Sequence, residues 1–278
     1  MAEKIIDSVG VNVPAQDLNG PQVAATLNYM DRYNEERDLR LDPWVEKGTP
    51  INCPVKAGGH VKALVVGGGF GGLLSAVRMI QNGFSVDDIL IVEPGGGFGG
   101  TWYWNRYPGL MCDTESYIYL PLLEEKGQMP TRKYASGSEI REYAERYGLH
   151  ARAQFQSVVR TAHWEESTKE WKVVIVEKAK GEPEVGISVR VDYVVFASGV
   201  LSNAKLPQVE GFDVFEGHSF HTARWDYAYT GGSPEQPDLA KLKDKRVAYI
   251  GTGATAIQSV TPIGKVVQGV VYREPPIR

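Results

Sequence analysis

Three glycines with the spacing G-x-G-x-x-G separate an apolar run from a stretch with helical periodicity. They are Gly67, Gly69 and Gly72. In such a turn the first glycine permits the tight reversal, the second lets the backbone approach a pyrophosphate, and the third lets the helix pack on the strand. The unpaired N–H groups at the start of the helix then attract phosphate oxygens. The spacing therefore predicts a dinucleotide site.

An acidic residue follows where such a site needs one. Glu93 ends the apolar run of residues 89–92, about 20 residues beyond the glycines, where a carboxylate can accept hydrogen bonds from ribose hydroxyls. The alternative is a glycine-rich turn that binds no ligand. The order strand, glycine turn, helix and acid favours the nucleotide site over that alternative.

The next loop combines glycines with aromatic residues. Residues 94–109 contain glycines at six positions and five Phe, Trp or Tyr residues. Glycine allows a close approach of the backbone, and aromatic faces can stack on a planar ring. Beside a dinucleotide site, an isoalloxazine would provide such a ring.

A second fingerprint begins near Arg246. Gly251, Gly253 and Ala256 follow an apolar strand, and alanine is an accepted variant at the third position. Two fingerprints in one chain indicate two nucleotides that face one another. A flavin and a nicotinamide, one passing hydride to the other, form the obvious pair.

Composition excludes several classes of protein. The 278 residues are 42% hydrophobic with a net charge of −4, so no basic footprint suggests nucleic acid. No apolar run approaches the roughly 18 residues of a membrane span. Cys53 and Cys112 cannot form a disulfide framework, and no metal-ligand spacing occurs. We therefore expect no metal and a reducing, cytoplasmic compartment.

The predicted fold class is α/β. A Rossmann-like domain over residues 61–207 carries an antiparallel β insertion, and residues 208–244 link it to an incomplete second Rossmann-like domain at 245–278. Residues 1–60 form an extension with an amphipathic helix from about residue 22 to 40, which packs on the main domain or forms a dimer contact or a wall of the substrate entrance. The elements expected between the fingerprints are a helix over residues 139–147 and strands over 155–162, 170–177, 187–191 and 193–199.

One segment between the fingerprints carries a family signature. Residues 215–226, Phe-Glu-Gly-His-Ser-Phe-His-Thr-Ala-Arg-Trp-Asp, resemble the F-x-G-x-x-x-H-x-x-x-W-[PD] motif of Baeyer–Villiger monooxygenases at every defined position. Residues 100–109 and 113–116 are similar to the flavin loop of that family.

The resemblance implies FAD at the first fingerprint and NADPH at the second, with dioxygen and a ketone as substrates and an ester or lactone as product. The implied catalytic candidates are Asp113, His221 and Trp225, of which His221 and Trp225 lie in the linker and are expected to couple domain movement to the cofactor. The residues implied to contact FAD are Gly67, Gly69, Gly72, Glu93, Thr101, Trp102, Asp113, Tyr119 and, through its main chain, Val159. Those implied for NADP are Gly251, Gly253, Ala256 and Arg273, whose planar guanidinium suits a 2′-phosphate.

Two departures from the family pattern affect these expectations. Glu274 stands where the family usually has threonine, and its charge beside a 2′-phosphate makes NADH an alternative coenzyme. Family enzymes also continue well beyond residue 278 and contain there the arginine that Asp113 would orient.

Three interpretations remain open. The chain is an N-terminal half or one chain of a split monooxygenase, or it is a short FAD-binding homologue without oxygenase activity that acts as a cyclase, isomerase or binding protein. The third interpretation is a flavin disulfide reductase or an N-oxygenating relative. The last lacks its C-x-x-C or C-x4-C cysteine pair here. An apolar strand expected at residues 265–272 would need a cover, such as a second chain or a homodimer partner.

Overall fold

The computed structural model of the chain describes residues 6–7, 39, 42–201, 204, 206, 211 and 214–273, the first two and last two of them as backbone only. The predicted amphipathic helix lies outside the described residues apart from Leu39, and Glu274 lies outside them as well. The described residues form two compact units, one drawn from 1–103 and 143–202 and the other from 104–142 and 203–278.

A mixed sheet organises the first unit. Its strands are adjacent in the order β1-β5-β6-β7-β2-β3-β4. The last four of these strands run parallel, and the fully buried Ala63, Leu64 and Val65 on the central strand β2 explain its continuous apolar sequence. In chain order the strands are β1 (Ile6–Asp7), β2 (His60–Val66), β3 (Ile89–Val92), β4 (Ala153–Gln154), β5 (Ser157–Glu165), β6 (Glu170–Glu177) and β7 (Val185–Phe196).

The predicted antiparallel insertion is confirmed, with one change. Strands β5, β6 and β7 form an antiparallel meander, but the two strands predicted at 187–191 and 193–199 are one strand, β7. Its first part pairs with β6 up to Val191, and its second part, from Arg190 to Phe196, pairs parallel with β2. Because the partners overlap at residues 190–191, the backbone continues without a break.

The helices are mostly short, and none of those in the described part of the chain is long and apolar enough to cross a membrane. The helix predicted over 139–147 is confirmed with its bounds two residues earlier. The helices are α1 (Phe70–Gln81), α2 (Thr101–Trp104), α3 (Ser116–Tyr119), α4 (Leu123–Lys126), α5 (Gly137–Glu145), α6 (Tyr227–Thr230) and α7 (Ala254–Gly264).

The second unit contains a parallel strand pair joined by α7. Strands β8 (Arg246–Ile250) and β9 (Gly269–Arg273) pair from Arg246 with Gly269 to Ile250 with Arg273. Strand β9 is shorter than the 265–272 prediction, because the N–H groups of Val266 and Val267 bond the carbonyl of Ile263 and extend the end of α7. The core of this unit consists of Tyr107, Trp225, Leu239, Leu242, Tyr249, Ala256 and Ile263.

Candidate nucleotide-binding sites

The first fingerprint adopts the predicted strand–turn–helix geometry. Gly67 follows β2 with φ of +112°, which only glycine adopts readily. A methyl group added there would lie 2.5 Å from the carbonyl oxygen of Ala197, and one added at Gly72 would lie 1.9 Å from the carbonyl oxygen of Gly67. Both glycines are therefore required by the protein's own packing.

Gly69 differs from these two glycines. It precedes α1 with φ of −74° and ψ of −179°, a conformation open to any residue. Among the described residues, a methyl group added there would meet only the backbone of Gly100, at an ordinary 3.6 Å from its Cα atom and 3.9 Å from its nitrogen. Because the described residues do not exclude a side chain here, a ligand that approaches the backbone would account for the glycine. This open cradle at a helix N-terminus fits a pyrophosphate group.

Glu93 is buried and holds two glycine segments together. Only 3% of the residue is exposed. Its Oε2 atom accepts a hydrogen bond of 2.6 Å from the N–H of Gly68, and its Oε1 atom accepts one of 2.8 Å from the N–H of Gly95. A carboxylate has about four acceptor positions, so a ribose hydroxyl is compatible with both bonds. The sequence indicated the ribose role but not this structural one.

The loop after Glu93 packs its aromatic side chains inside the protein. Phe98, Trp102 and Tyr103 are all buried, whereas Thr101 is exposed. The loop is joined to the fingerprint by a bond of 3.0 Å from the N–H of Gly99 to the carbonyl of Gly68. The residues of this unit that the structure brings together are Gly67, Gly69, Gly72, Glu93 and the Gly100–Thr101 corner.

Val159 lies further along the sheet. It is 7% exposed and belongs to the core beneath the strands. Its partner on β6 is Ile175, and the pairing is irregular between Val159 and Thr161. Contact of its main chain with an adenine remains a prediction.

The second fingerprint has the same local backbone geometry as the first. Gly251 has φ of +133°, and Gly253 precedes α7 with φ of −76°. In the described part of the chain, no atom lies within 4 Å of a methyl group added at Gly253. Ala256 is buried against the core of the unit. The third position thus packs, and the second is open to a ligand. Arg273 ends β9, where only its backbone is described.

The segment before Asp113 is fastened to α7. Gln258 accepts hydrogen bonds from the Tyr107 hydroxyl at 3.0 Å and the Met111 N–H at 3.3 Å, and it donates one of 2.9 Å to the Met111 carbonyl. Burial raises the pKa of the Tyr107 hydroxyl, and the nearby Asp113 carboxylate adds to the rise. Asp113 itself is exposed, as is Tyr119 at the end of α3. Both belong to the second unit.

The two signature residues have structural contacts. The Nδ1 atom of His221 accepts a hydrogen bond of 3.1 Å from the N–H of Ala223 and caps a 3₁₀ turn over Thr222–Arg224. Trp225 is 3% exposed, and its indole N–H donates to the Thr230 hydroxyl at 3.0 Å. Their expected coupling to the cofactor remains a prediction.

The fold also assembles a polar cluster that spacing did not predict. His60 on β2, Glu170 on β6 and Asp192 on β7 have ligand-type atoms within 4.8 Å of one another. His60 Nε2 lies 2.7 Å from Asp192 Oδ1, and the Arg190 guanidinium lies 3.4 Å from Glu170 Oε1. Three strands contribute these residues, so no sequence spacing identifies them. The Arg190 cation makes an ion-pair network the simplest account of this cluster.

Comparisons with known proteins agree with this geometry. A sequence-family profile described as NAD(P)-binding Rossmann-like domain matches residues 65–129. The FAD-binding monooxygenase prhK of Penicillium brasilianum is 55% identical over an aligned length of 284 residues. The match covers 89% of this chain and 44% of that protein.

Two solved structures extend the likeness. The polycyclic ketone monooxygenase of Thermothelomyces thermophila superposes with a TM-score of 0.80 at 41% identity, covering 96% of this chain and 40% of that one. OTEMO in complex with FAD and NADP gives a TM-score of 0.63 at 30% identity, covering 76% and 38%. The chain thus spans less than half the length of each of these relatives. With its glycine turns, signature segment and fold, the chain is homologous to part of the FAD-binding monooxygenases of the Baeyer–Villiger type.

Proposed function

We propose that this chain provides the FAD site and part of the NADPH site of a flavin-dependent Baeyer–Villiger monooxygenase, which oxidises a ketone to an ester or lactone with dioxygen. The observation that carries the proposal is the open Gly69 position, beside Gly100 and at the start of α1. When bound, FAD would supply the redox chemistry that links NADPH to dioxygen.

The residues of the first unit have defined tasks in this proposal. The N–H groups at the start of α1 and the uncovered backbone of Gly69 would bind the pyrophosphate. Glu93 would accept hydrogen bonds from the ribose while it holds Gly68 and Gly95 in place. Thr101 and Trp102, with Val159 through its main chain, would line the remaining part of the flavin.

The assignment of two different nucleotides rests on two fingerprints and on the relatives. The family profile over residues 65–129 has a description that names NAD(P), but a Rossmann-like turn binds either kind of dinucleotide. The relatives are described as FAD-binding, and the OTEMO structure contains both FAD and NADP. We assign FAD to the first turn because Glu93 provides a ribose acceptor there. We assign NADPH to the second because Arg273 follows it.

The remaining partners and the location complete the proposal. Asp113 and Tyr119 would also contact the flavin, and His221 and Trp225 would couple domain movement to the bound nucleotide. A second chain or a homodimer partner would cover β9. Both cysteines are free thiols, which suits the cytoplasm.

Flavin content and coenzyme choice test the proposal. The purified chain, reconstituted with FAD, should show flavin absorbance and should bind NADPH more tightly than NADH. Replacing Glu274 with threonine removes a like charge beside the 2′-phosphate, so the NADPH preference should rise several-fold, since an exposed charge pair contributes about 1 kcal/mol or less. An unchanged ratio would reject the Arg273 placement.

Product formation tests the oxygenase step. With NADPH, dioxygen and a panel of cyclic and aryl ketones, mass spectrometry should detect esters or lactones if this chain contains every group that the reaction requires. Flavin binding without ester would support the FAD-binding role and would fit either one part of a split monooxygenase or the short homologue without oxygenase activity. A chain that binds no flavin under any condition would contradict the proposal.

A further inference from the structure

A short segment before the first parallel strand is fastened to the loop that follows Glu93. The Asp42 carboxylate is buried and accepts three hydrogen bonds. Its Oδ1 atom accepts from the N–H of Trp44 at 2.8 Å. Its Oδ2 atom accepts from the N–H of Gly96 at 2.8 Å and from the Tyr103 hydroxyl at 2.6 Å. The Gly96 N–H also lies 2.9 Å from the Tyr103 oxygen, so these groups form one closed network.

The glycines of the loop make room for this network. A methyl group added at Gly96 would lie 2.1 Å from Cγ2 of Val45 and 2.8 Å from the Tyr103 oxygen. One added at Gly95 would lie 2.8 Å from two carbons of the Tyr103 ring. Neither glycine has a positive φ. They are therefore needed for close packing against Val45 and Tyr103, and a ligand is not required to explain them.

The segment is also held from its other side. Lys180, in the turn between β6 and β7, donates hydrogen bonds to the carbonyl oxygens of Asp42 at 3.1 Å and Val45 at 2.9 Å. The carbonyls of the segment thus contact the edge of the meander, while its carboxylate contacts the loop. Residues 42–45, which we call the brace, connect these two parts of the first unit.

We propose that Asp42 is a positioning residue for FAD, which acts by fixing the loop that faces Gly69. The loop is held at Gly95 by Glu93, at Gly96 by Asp42 and at Gly99 by the Gly68 carbonyl. Gly100, the residue nearest an added methyl group at Gly69, follows directly. With the Asp42 bonds removed, residues 96–103 lose an anchor, and the cradle opposite Gly69 loses its defined width. The inference rests on the proposed FAD site.

The test compares two substitutions that remove the same charge. In Asp42→Asn, the amide NH2 group must face the N–H of either Trp44 or Gly96, so one of these two bonds is lost. In either orientation the bonds that remain lose the strength that the carboxylate charge gives them. Glu46→Gln, in the same stretch, changes an exposed side chain and serves as the matched control. Tyr103→Phe removes the bond to Asp42 together with the one that the hydroxyl accepts from the Gly96 N–H, and Lys180→Met removes the two bonds to the brace without a change in the loop.

Hydrogen–deuterium exchange of the FAD-free chain measures the brace directly. Peptides covering residues 94–103 should exchange at least several-fold faster in Asp42→Asn than in wild type or Glu46→Gln. In Lys180→Met, exchange of the same peptides should also become faster, but by a smaller factor. Equal exchange in Asp42→Asn and Glu46→Gln would overturn the inference. Should Asp42→Asn fail to fold, Tyr103→Phe and Lys180→Met decide in its place.

FAD titration measures the consequence. Asp42→Asn should bind FAD at least tenfold more weakly, and the rise in melting temperature that FAD produces should shrink. A purely structural role would lower the melting temperature of the FAD-free chain and leave that rise unchanged, and this result would overturn the inference. Wild type that binds no FAD would instead contradict the proposed function, and the exchange experiment would still decide whether Asp42 orders the loop.

Discussion

Alanine substitutions at Gly69 and Gly72 should separate ligand binding from folding within one turn. The two glycines are three residues apart, yet an added methyl group meets very different surroundings. At Gly72 it would lie 1.9 Å from the Gly67 carbonyl oxygen and 3.2 Å from Val65 Cγ1. At Gly69 it would lie 3.6 Å from Gly100 Cα, which is ordinary contact. Gly69→Ala should therefore fold, and Gly72→Ala should distort the turn.

Opposing effects keep the stability change small at Gly69. Alanine restricts the unfolded chain and so stabilises by about 0.4–1 kcal/mol where the native φ and ψ suit it. Alanine is also a poorer N-cap than glycine, and Gly69 is the N-cap of α1. The two terms nearly cancel, so the free energy of unfolding should change by less than about 1 kcal/mol. At Gly72, forced overpacking against a backbone carbonyl should cost about 1–3 kcal/mol or more.

The effect on FAD affinity should have the reverse order. A methyl group at Gly69 projects into the space assigned to the pyrophosphate, so affinity should fall at least tenfold, which corresponds to about 1.4 kcal/mol. The assay combines thermal unfolding of the FAD-free chain with fluorescence titration of FAD. Gly69→Ala should keep its melting temperature and lose affinity, whereas Gly72→Ala should lose several degrees of melting temperature before any ligand is added.

Two outcomes would refute this reasoning. If Gly69→Ala binds FAD as tightly as wild type does, the pyrophosphate does not lie against this residue and the open cradle has another explanation. If Gly72→Ala has the same melting temperature as wild type, the close approach to Gly67 does not constrain the turn. Gly69→Val, with a larger side chain at the same place, should bind still less FAD than Gly69→Ala does.

Two further predictions concern the buried carboxylate of Glu93 and the exposed thiol of Cys53. Glu93→Gln places an amide NH2 group against the N–H of Gly68 or Gly95. The free energy of unfolding of the FAD-free chain, measured by urea denaturation, should therefore fall by about 1–3 kcal/mol. Unchanged stability would show that these bonds do not hold the loop. Desolvation, followed by the hydrogen bond and charge of Glu177, raises the pKa of Cys53 to about 11. Alkylation of this thiol by iodoacetamide should therefore be slow at about pH 8, rise with pH through about 11 and be faster in Glu177→Gln. Rapid alkylation of the wild-type thiol at about pH 8 would contradict this pKa.

The local motifs were predictable from sequence because their geometry depends on neighbours in the chain. A strand, a glycine turn and a helix read directly from residues 62–81, and the roles of Gly67 and Gly72 in the turn follow from backbone sterics. The antiparallel meander was predictable for a similar reason, since alternation and polar turns mark each strand. The single strand β7 was missed because its continuity depends on two partners, β6 and β2, that lie far apart in sequence.

Tertiary structure decided what the glycine-rich loop contacts. Composition suggested that its glycines allow a close approach of the backbone and that its aromatic faces can stack on a planar ligand. In the fold, Gly95 and Gly96 instead accommodate Tyr103 and Val45, and Asp42 joins them across more than fifty positions of sequence. No spacing rule connects residues so distant.

The division between sequence and tertiary structure is clearest at the glycines themselves. Sequence predicted where a nucleotide site lies, because the local pattern of Gly67, Gly69, Gly72 and Glu93 is characteristic of one. Only the packed structure distinguishes Gly67 and Gly72, which the protein's own atoms require, from Gly69, which they do not. The reason is physical: a glycine's necessity depends on which atoms surround the missing side chain, and folding brings those atoms from Gly100, Ala197 and other distant residues.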